Sequence, residues 1–318
     1  MVSLERFHVR ATSIFLGLAC VCMVWPPALF GQQPVILRGH TDAVYDVEFS
    51  PNGDRLATGS YDNTIKIWRV AEGTVISTLT GHTDQVFRIA FSPSGSKLVS
   101  CSGDGSVIQW DLATGNLDRV LRGHGDPILD AAFFPNGKLL VTVGSHVQLW
   151  QGEKAIWSTP HSELYFSVAV SPNGKQFCGG TKNEIHVFEQ NDPQPVKTFT
   201  AGSGMIYQLE YSSDGSLFAA ACSDGTLTLW NTQTFEKVGV VKADQFSLFT
   251  LRFSRDGSSL LTAGRERVIR KWSVPDLALR SEQFGPQETI LSVNQTENGE
   301  VLVCGSYDGL VHLWKVIQ

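Results

Sequence analysis

A large aromatic residue recurs along the sequence at nearly constant spacing, with successive intervals of 42, 40, 38, 42, 42 and 42 residues. A glycine that follows a turn-forming residue recurs in step with it. The aromatic residues are Trp68, Trp110, Trp150, Phe188, Trp230, Trp272 and Trp314, and the glycines are Gly53, Gly95, Gly137, Gly174, Gly215, Gly257 and Gly299. Two independent markers stay in phase through seven periods, so one structural unit is predicted to occur seven times. The repeats end near residues 68, 110, 150, 188, 230, 272 and 314.

Each repeat contains four short segments with the character of β-strands. In the first repeat they are residues 44–49, 55–60, 64–68 and 74–79. Gly53 supplies the positive φ that a tight hairpin turn requires. Four short strands in about 41 residues, without helical periodicity, are typical of one blade of a β-propeller. The sequence therefore predicts an all-β fold with seven blades.

The first repeat also carries a recognisable set of motifs. It contains Gly39-His40, the turn at residues 49–53, Asp62 and Trp68, and this combination resembles a WD repeat. The resemblance covers roughly residues 34–318 and implies a seven-bladed WD-repeat β-propeller. Trp110-Asp111 is the one literal Trp-Asp pair in the sequence.

The two ends of the repeat region are out of phase with each other. A lone β-like segment, residues 34–37, precedes the first Gly-His pair, and no fourth strand follows Trp314. We therefore expect Val35 to Leu37 to complete the last blade by pairing with the strand that contains Val311 to Val316. Closing the ring in this way removes the open sheet edges that promote aggregation.

The first 31 residues have a different character. Arg6 and Arg10 precede an apolar run at residues 14–25, and no charged residue occurs between Arg10 and Arg38. A basic start followed by a short apolar core is typical of a signal peptide, although an uncleaved membrane anchor and a buried N-terminal helix are alternatives. We expect residues 1–31 to be a signal peptide or anchor, with residues 11–31 as the tether in the second case.

Signal peptide and anchor both predict an extracytoplasmic location, secreted or periplasmic, for the propeller at residues 32–318, because basic residues favour the inner side of the membrane. The whole chain has 25 basic and 31 acidic residues, which argues against a nucleic-acid partner. Four of its six cysteines lie in different repeats, so they are expected to be free thiols.

The WD-repeat resemblance implies a buried hydrogen-bond chain in each blade. It joins the His of the Gly-His pair to a Ser or Thr of the second strand, the Asp of the following turn and the Trp indole. The residues in these positions are His40, Thr58, Asp62 and Trp68 in blade one, His82, Ser100, Asp104 and Trp110 in blade two, and His124, Thr142 and Trp150 in blade three. With one such His per blade, no metal shell forms, and we expect neither a metal nor a cofactor.

This network weakens along the chain. We call the position of the Gly-His histidine the landmark position; its occupants are His40, His82, His124, His161, Gly202, Asp244 and Pro286. Phe188 has no indole donor, and the last three blades have no landmark His. We therefore expect the later blades to rely more on apolar packing.

The fifth residue after each landmark lies early in the innermost strand. These residues are Tyr45, Phe87, Leu129, Phe166, Tyr207, Phe249 and Leu291. The ring contains no carboxylate pair, metal cluster or nucleophile–base set, so the sequence predicts no enzymatic activity. The ring has two interpretations, packing at the narrow end of the blades or a docking surface for a protein or peptide. We expect the docking surface, with Tyr45, Phe87, Phe166, Tyr207 and Phe249 as partner-binding residues together with Tyr61 and Tyr307. By the family resemblance, Tyr61 and Tyr307 belong to the same face.

The sequence thus predicts a monomeric, non-catalytic interaction platform in an extracytoplasmic assembly. Two alternatives remain at this point. One is a propeller enzyme with an unrecognised site in the central channel, which a central polar cluster would favour. The other is a membrane-tethered structural subunit.

Overall fold

The computed structural model describes residues 33–160 and 163–315; the predicted signal or anchor lies outside these residues, as does His161. The described part forms 28 β-strands in seven four-stranded antiparallel sheets and contains no helix. No membrane-spanning helix occurs within it. The all-β, seven-bladed propeller is confirmed.

The first four blades contain these strands. Blade one has β2 (Val44–Phe49), β3 (Arg55–Ser60), β4 (Thr64–Arg69) and β5 (Thr74–Thr80); blade two has β6 (Val86–Phe91), β7 (Lys97–Ser102), β8 (Ser106–Asp111) and β9 (Asn116–Arg122); blade three has β10 (Asp130–Phe133), β11 (Leu139–Val143), β12 (Val147–Gln151) and β13 (Lys154–Ser158); blade four has β14 (Ser167–Val170), β15 (Gln176–Gly180), β16 (Glu184–Glu189) and β17 (Pro195–Thr200).

The remaining blades follow the same plan. Blade five has β18 (Ile206–Tyr211), β19 (Leu217–Cys222), β20 (Thr226–Asn231) and β21 (Lys237–Lys242); blade six has β22 (Leu248–Phe253), β23 (Ser259–Gly264), β24 (Val268–Ser273) and β25 (Leu279–Phe284); blade seven has β26 (Ile290–Gln295), β27 (Val301–Ser306), β28 (Val311–Lys315) and β1 (Val35–Leu37).

The ring closes through β1, as the phase of the chain ends predicted. Strand β1 pairs antiparallel with β28, with Ile36 opposite His312. Leu37 is buried in a cluster that joins residues of blades seven and one, including Trp68 and Val311. Closure therefore combines a strand ladder with an apolar contact between the first and last blades.

The apolar cores lie between adjacent blades. In one of them, Ile185 and Val187 of blade four pack with Leu209 and Phe218 of blade five. The seven marker glycines all adopt positive φ, from 66° at Gly137 to 74° at Gly53, so the turns are of the predicted kind. Cys101, Cys178, Cys222 and Cys304 are buried free thiols, as expected.

Candidate partner-binding face and central channel

The propeller has two ends with different loops. We call the end that carries the landmark loops and the turns between second and third strands the top face. The bottom face carries the marker-glycine turns, such as the one at Gly53. The predicted aromatic ring lies near the top face, where the chain enters each innermost strand.

A β-bulge presents most of the ring residues. In blade one, Val44 pairs with Ser60 and Asp46 with Gly59, which leaves Tyr45 without a pairing partner in the sheet. The same register shift occurs at Phe87, Tyr207, Phe249 and Leu291. A bulge re-aims the side chain of the extra residue, so these five side chains are directed differently from those of a regular strand.

The ring aromatics form two separate groups. Tyr45 stacks on Tyr61 with ring centroids 5.2 Å apart, and Phe87 packs edge-on against Tyr45 at 5.6 Å. On the other side, Tyr207 lies 5.0 Å from Phe249 and 6.4 Å from Phe166. Leu129 and Leu291 occupy the ring position between the two groups. All seven ring residues are half-buried.

Exposed apolar side chains supplement the ring on this face. Tyr307 is 60% exposed. Burial raises the pKa of Tyr61, and the phenols of Tyr45 and Tyr307 add to the shift. Phe246 and Leu164, which the sequence analysis missed, are 57% and 48% exposed in the loops that precede β22 and β14. The sequence could have indicated both residues, because each is an apolar side chain two or three residues after the landmark in an otherwise polar loop.

Beneath the ring, polar side chains at the sixth position after each landmark join the blades. Each junction between adjacent blades is bridged by one of them. The bridges are Ile89 N–H to Asp46 Oδ2 at 3.0 Å, Arg88 Nε to Asp130 Oδ1 at 3.5 Å, Val168 N–H to Asp130 Oδ2 at 2.9 Å, Ser167 Oγ to the Ile206 carbonyl at 3.2 Å, Leu251 N–H to Gln208 Oε1 at 3.1 Å, Val293 N–H to Thr250 Oγ1 at 3.1 Å, and Val47 N–H to Ser292 Oγ at 3.3 Å.

The channel is therefore charged, and the prediction of a central ring without a carboxylate pair missed this cluster. A central polar cluster is the feature expected of the alternative, a propeller enzyme, so that alternative stays open. Asp46 and Asp130 flank Arg88, and Glu210 lies 3.6 Å from Arg252. The cavity of about 560 Å³ is lined by Glu48, Arg88, Asp130, Glu210 and Arg252 and extends to the bottom-face turns, including that at Pro51. In the sequence, these charged residues occupy the sixth and eighth positions after the landmark, just beyond the ring position.

The channel carboxyls have unusual proton affinities. Burial raises the pKa of Glu48 to about 8 although Arg252 opposes the shift. Burial likewise raises the pKa values of Asp130 and Glu210 to about 6, against the charges of Arg88 and Arg252 respectively. Asp130 and Glu210 also accept backbone N–H groups of the next blade. These contacts give them a structural role in holding neighbouring blades together.

In blade two, the four predicted side chains are joined in a continuous chain. Trp110 Nε1 donates to Ser100 Oγ at 2.9 Å, and Ser100 lies 2.7 Å from His82 Nε2. His82 Nδ1 lies 2.9 Å from Asp104 Oδ2. Burial lowers the pKa of His82 although Asp104 opposes this, so a neutral imidazole that donates from Nδ1 fits the chain.

Blade one repeats this arrangement. Trp68 Nε1 donates to Thr58 Oγ1 at 2.9 Å, and His40 lies 2.7 Å from Thr58 and 2.8 Å from Asp62. Asp62 also accepts the Thr64 hydroxyl. These hydrogen bonds outweigh the effect of burial and lower the pKa of Asp62.

Blade three keeps the inner half of the chain. Trp150 Nε1 donates to Thr142 Oγ1 at 2.8 Å, and His124 Nε2 lies 2.7 Å from the same hydroxyl. The short turn carries His146, whose ring stacks on His124 with centroids 4.2 Å apart. An aromatic contact thus lies where blades one and two have a carboxylate.

Blade four replaces the network with different residues. Gly179 pairs with His186 in blade four, and Thr58 pairs with Lys66 in blade one. Gly179 therefore occupies the position of the second-strand hydroxyl. The Tyr165 ring fills the space beside Gly179, where an added Cβ would lie 2.8 Å from Tyr165 Cδ1. Tyr165 Oη is hydrogen-bonded to His186 Nδ1 at 2.7 Å.

This corner also contains a cluster that the sequence analysis did not predict. Glu163, Glu184 and His186 place ligand atoms within 4.8 Å of one another. The expectation of no metal-ligating group considered only the landmark histidines, which lie on separate blades. His186 is not a landmark residue, and Glu163 is distant from it in sequence.

Blade six departs from the expected reliance on apolar packing. Asp244, at the landmark, accepts the Glu266 N–H at 2.9 Å. Arg270 donates to Glu266 at 2.6 Å and to Glu282 at 2.7 Å. Trp272 Nε1 still donates to a second-strand hydroxyl, that of Thr262. An ionic network therefore replaces the missing His in this blade.

Blade seven fits the expectation better. Cys304 occupies the position of Ser100, and within the described residues the buried Trp314 Nε1 has no hydrogen-bond acceptor. Trp314 is as buried as Trp110, at 1% exposure against 2%. Apolar contact therefore holds this indole without a hydrogen bond.

The repeated side-chain network, on seven four-stranded sheets, defines a WD-repeat β-propeller. The chain belongs to the family described as the IFT122 first beta-propeller, whose model matches residues 44–315. Propellers of the WD-repeat class are generally non-enzymatic and commonly bind protein partners.

Similar curated proteins share this class at low identity. The chain is 22% identical over 261 residues to the WD repeat-containing protein 91 homolog of Dictyostelium discoideum, covering 78% of this chain and 29% of that protein. It is 24% identical over 166 residues to U3 snoRNP-associated protein-like EMB2271 of Arabidopsis thaliana, covering 51% and 33%. It is 26% identical over 143 residues to Protein groucho of Drosophila melanogaster, covering 44% and 19%. The chain thus spans a third or less of the length of these relatives.

Proposed function

We propose that this propeller is a non-catalytic platform that binds a protein or peptide partner on its top face. The observation that carries the proposal is the exposed Tyr307 next to the half-buried group of Tyr45, Tyr61 and Phe87. Tyrosines that combine a large apolar surface with a polar tip are typical interface anchors. Strand bulges hold Tyr45 and Phe87, and Tyr61 and Tyr307 lie in the turns directly after β3 and β27, so little ordering cost is expected on binding.

The test places a photo-crosslinking amino acid at position 307 and, as a matched control, at the exposed outer-strand position 76. We expect a discrete adduct from position 307 that Tyr61→Ala abolishes and Ile76→Ala leaves unchanged. Truncation of a central aromatic anchor typically costs about 2 kcal/mol or more, roughly thirtyfold in affinity. Equal adducts from both positions, or a normal adduct in Tyr45→Ala, Tyr61→Ala and Tyr207→Ala alike, would contradict this docking face.

We further propose that the platform works outside the cytoplasm. Arg6 and Arg10, followed by an uncharged stretch that continues to Arg38, support export. A phosphatase that is active only after export, fused to the full chain, should be active, whereas a fusion to residues 33–318 should be inactive. Equal activity of the two fusions would contradict export, and N-terminal sequencing distinguishes a cleaved signal from an anchor.

The charged channel favours a second function, the binding of a small cation. Three carboxyls, those of Glu48, Asp130 and Glu210, line the cavity of about 560 Å³ together with the guanidinium groups of Arg88 and Arg252, and Arg88 also pairs with Asp46. Glu48, with its pKa raised to about 8, is mostly protonated at pH 7; a bound cation favours its carboxylate form, so binding should release a proton. Calorimetry tests this function. Binding of spermidine by wild type would support it, provided that wild type does not bind citrate and that Glu48→Gln does not bind spermidine. No spermidine binding by wild type would exclude this cation.

A further inference from the structure

The top corner of blade four brings together three side chains of the kinds that bind metal ions. Glu163 lies in the loop before β14, and Glu184 and His186 lie two residues apart on β16, where alternate side chains share one face of the sheet. His186 Nε2 is 3.4 Å from Glu184 Oε2 and 3.5 Å from Glu163 Oε2. One imidazole nitrogen thus faces two carboxylates.

The two distances from His186 Nε2 match the edges of a metal coordination shell. Zinc binds His nitrogen and carboxylate oxygen at about 2.0–2.2 Å, so neighbouring ligand atoms in a tetrahedral shell lie about 3.3–3.5 Å apart. Charge-assisted hydrogen bonds between nitrogen and oxygen are shorter, at about 2.7–2.9 Å. The contact of His186 Nε2 with Glu184 Oε2 is a long hydrogen bond, and both separations from His186 Nε2 lie in the range expected for ligands of a shared metal ion.

A second feature orients the imidazole. Tyr165 Oη lies 2.7 Å from His186 Nδ1, and both side chains are buried, at 4% and 7% exposure. A metal-ligating His usually has its other ring nitrogen hydrogen-bonded in this way, which fixes the tautomer and the ring orientation. Tyr165 fits here because the second-strand residue beside it is Gly179.

We propose that Glu163, Glu184 and His186 bind one divalent transition-metal ion, with Zn²⁺ the best match. The mixed nitrogen and oxygen donor set suits zinc, whereas calcium and magnesium prefer oxygen ligands alone. The ion would link the loop that leads to Phe166 with β16. The His40–Asp62 contact makes the corresponding link in blade one. This proposal does not rest on the proposed partner binding.

The test uses the full chain without a polyhistidine tag, stripped of metal by EDTA and exchanged into buffer. Calorimetry and metal analysis after dialysis should give one Zn²⁺ per chain, with a higher thermal midpoint in zinc. Glu163→Gln and Glu184→Gln should each lose most of this binding. The exposed Glu236→Gln in blade five is the matched control and should bind zinc like wild type.

Tyr165→Phe tests the orienting role separately. It keeps the ring that packs beside Gly179 but removes the hydroxyl, so zinc affinity should fall about 10- to 100-fold while all three ligands remain. The variants at the exposed Glu163 and the half-buried Glu184 are expected to fold normally, and circular dichroism checks this. Zinc binding unchanged in the double Glu163→Gln, Glu184→Gln variant, no binding by wild type, or equal stabilisation by Ca²⁺ would each overturn the proposal.

Discussion

Blades two and seven share one strand plan but are stabilised differently at the same corner. In blade two, Trp110 ends a hydrogen-bond chain through Ser100 to His82. In blade seven, Cys304 replaces the hydroxyl, and Trp314 Nε1 has no acceptor within the described residues. The two indoles are nonetheless equally buried. Burial of the aromatic ring is thus common to both blades, and the hydrogen-bond chain is an addition in one of them.

The two blades also differ in how their sheets are completed. The four strands of blade two are consecutive in sequence, whereas the outer strand of blade seven is β1, from the other end of the propeller. Blade seven therefore depends on a long-range contact, and blade two on local hairpins and a polar network. Each kind of stabilisation can be removed separately.

The largest effect is expected from removing the closing strand. Deletion of residues 33–37 exposes the edge of β28 and removes the buried Leu37, which alone is worth about 2–5 kcal/mol. The thermal midpoint should fall by roughly 10 °C or more. Val35→Ala, at an exposed position of the same strand, should change it little. An unchanged midpoint after deletion would mean that three strands suffice for blade seven.

The next largest effect concerns the hydroxyl at the centre of the blade-two chain. Ser100→Ala leaves Trp110 Nε1 and His82 Nε2 buried without their shared partner, so the free energy of unfolding should fall by about 2–4 kcal/mol. Cys304→Ala at the matching position breaks no such chain and should cost about 1 kcal/mol. Equal losses in a urea titration would show that the chain adds nothing to indole burial.

Introducing a hydroxyl into blade seven should supply the hydrogen-bond acceptor that its indole lacks. Cys304→Ser places a hydroxyl where Ser100 accepts the Trp110 indole at 2.9 Å, so it should give Trp314 an acceptor and raise the free energy of unfolding by about 0.5–1.5 kcal/mol. Chemical denaturation checks the sign. A loss of stability would show that the two corners differ in geometry as well as composition.

Acid should act on blade two through Asp104. Burial raises its pKa, but hydrogen bonds from Ser106, the Thr83 N–H and His82 outweigh this and lower the pKa to about 2. The contribution of the charged Asp104 carboxylate to the free energy of unfolding is present above about pH 4 and is lost as the pH falls from about 4 to about 2. Over that interval, wild type should lose about 1 kcal/mol more than Asp104→Asn, after allowance for solvent screening. Parallel pH profiles would contradict this assignment.

The sequence was sufficient for the fold because the marker residues repeat in every unit and the chain ends are offset by one strand. It also identified the ring position, but not the bulge at Tyr45, because a register shift depends on the neighbouring strand. The channel charges at Asp46, Arg88 and Asp130 were one residue beyond the ring and could have been found by extending the same count.

The blade-four corner could not be found by counting positions from the landmark residues. Tyr165, Gly179 and His186 replace residues of three different kinds, and none of them is at a landmark position. Their relation appears only when β15 and β16 pair and the loop before β14 folds over them. A repeat motif predicts only the residues that the blades have in common, and this combination of residues occurs in blade four alone among the described blades.

The smallest effect is expected at Asp111, the residue that makes the single literal Trp-Asp pair. Its Oδ1 accepts the Ala113 and Thr114 N–H groups at 3.0 Å, and Lys97 pairs with its other oxygen at 2.7 Å. In blade five, Asn231 accepts the corresponding two N–H groups of its own turn, so an amide serves equally well there.

Asp111→Asn should therefore keep the turn of blade two and lose only the surface ion pair. Such pairs contribute little, so the thermal midpoint should move by about 1 °C or less. Asp111→Ala removes the turn acceptor as well and should lower the midpoint further. If Asp111→Asn were as damaging as Ser100→Ala, the ion pair with Lys97 would contribute as much to blade two as the buried chain.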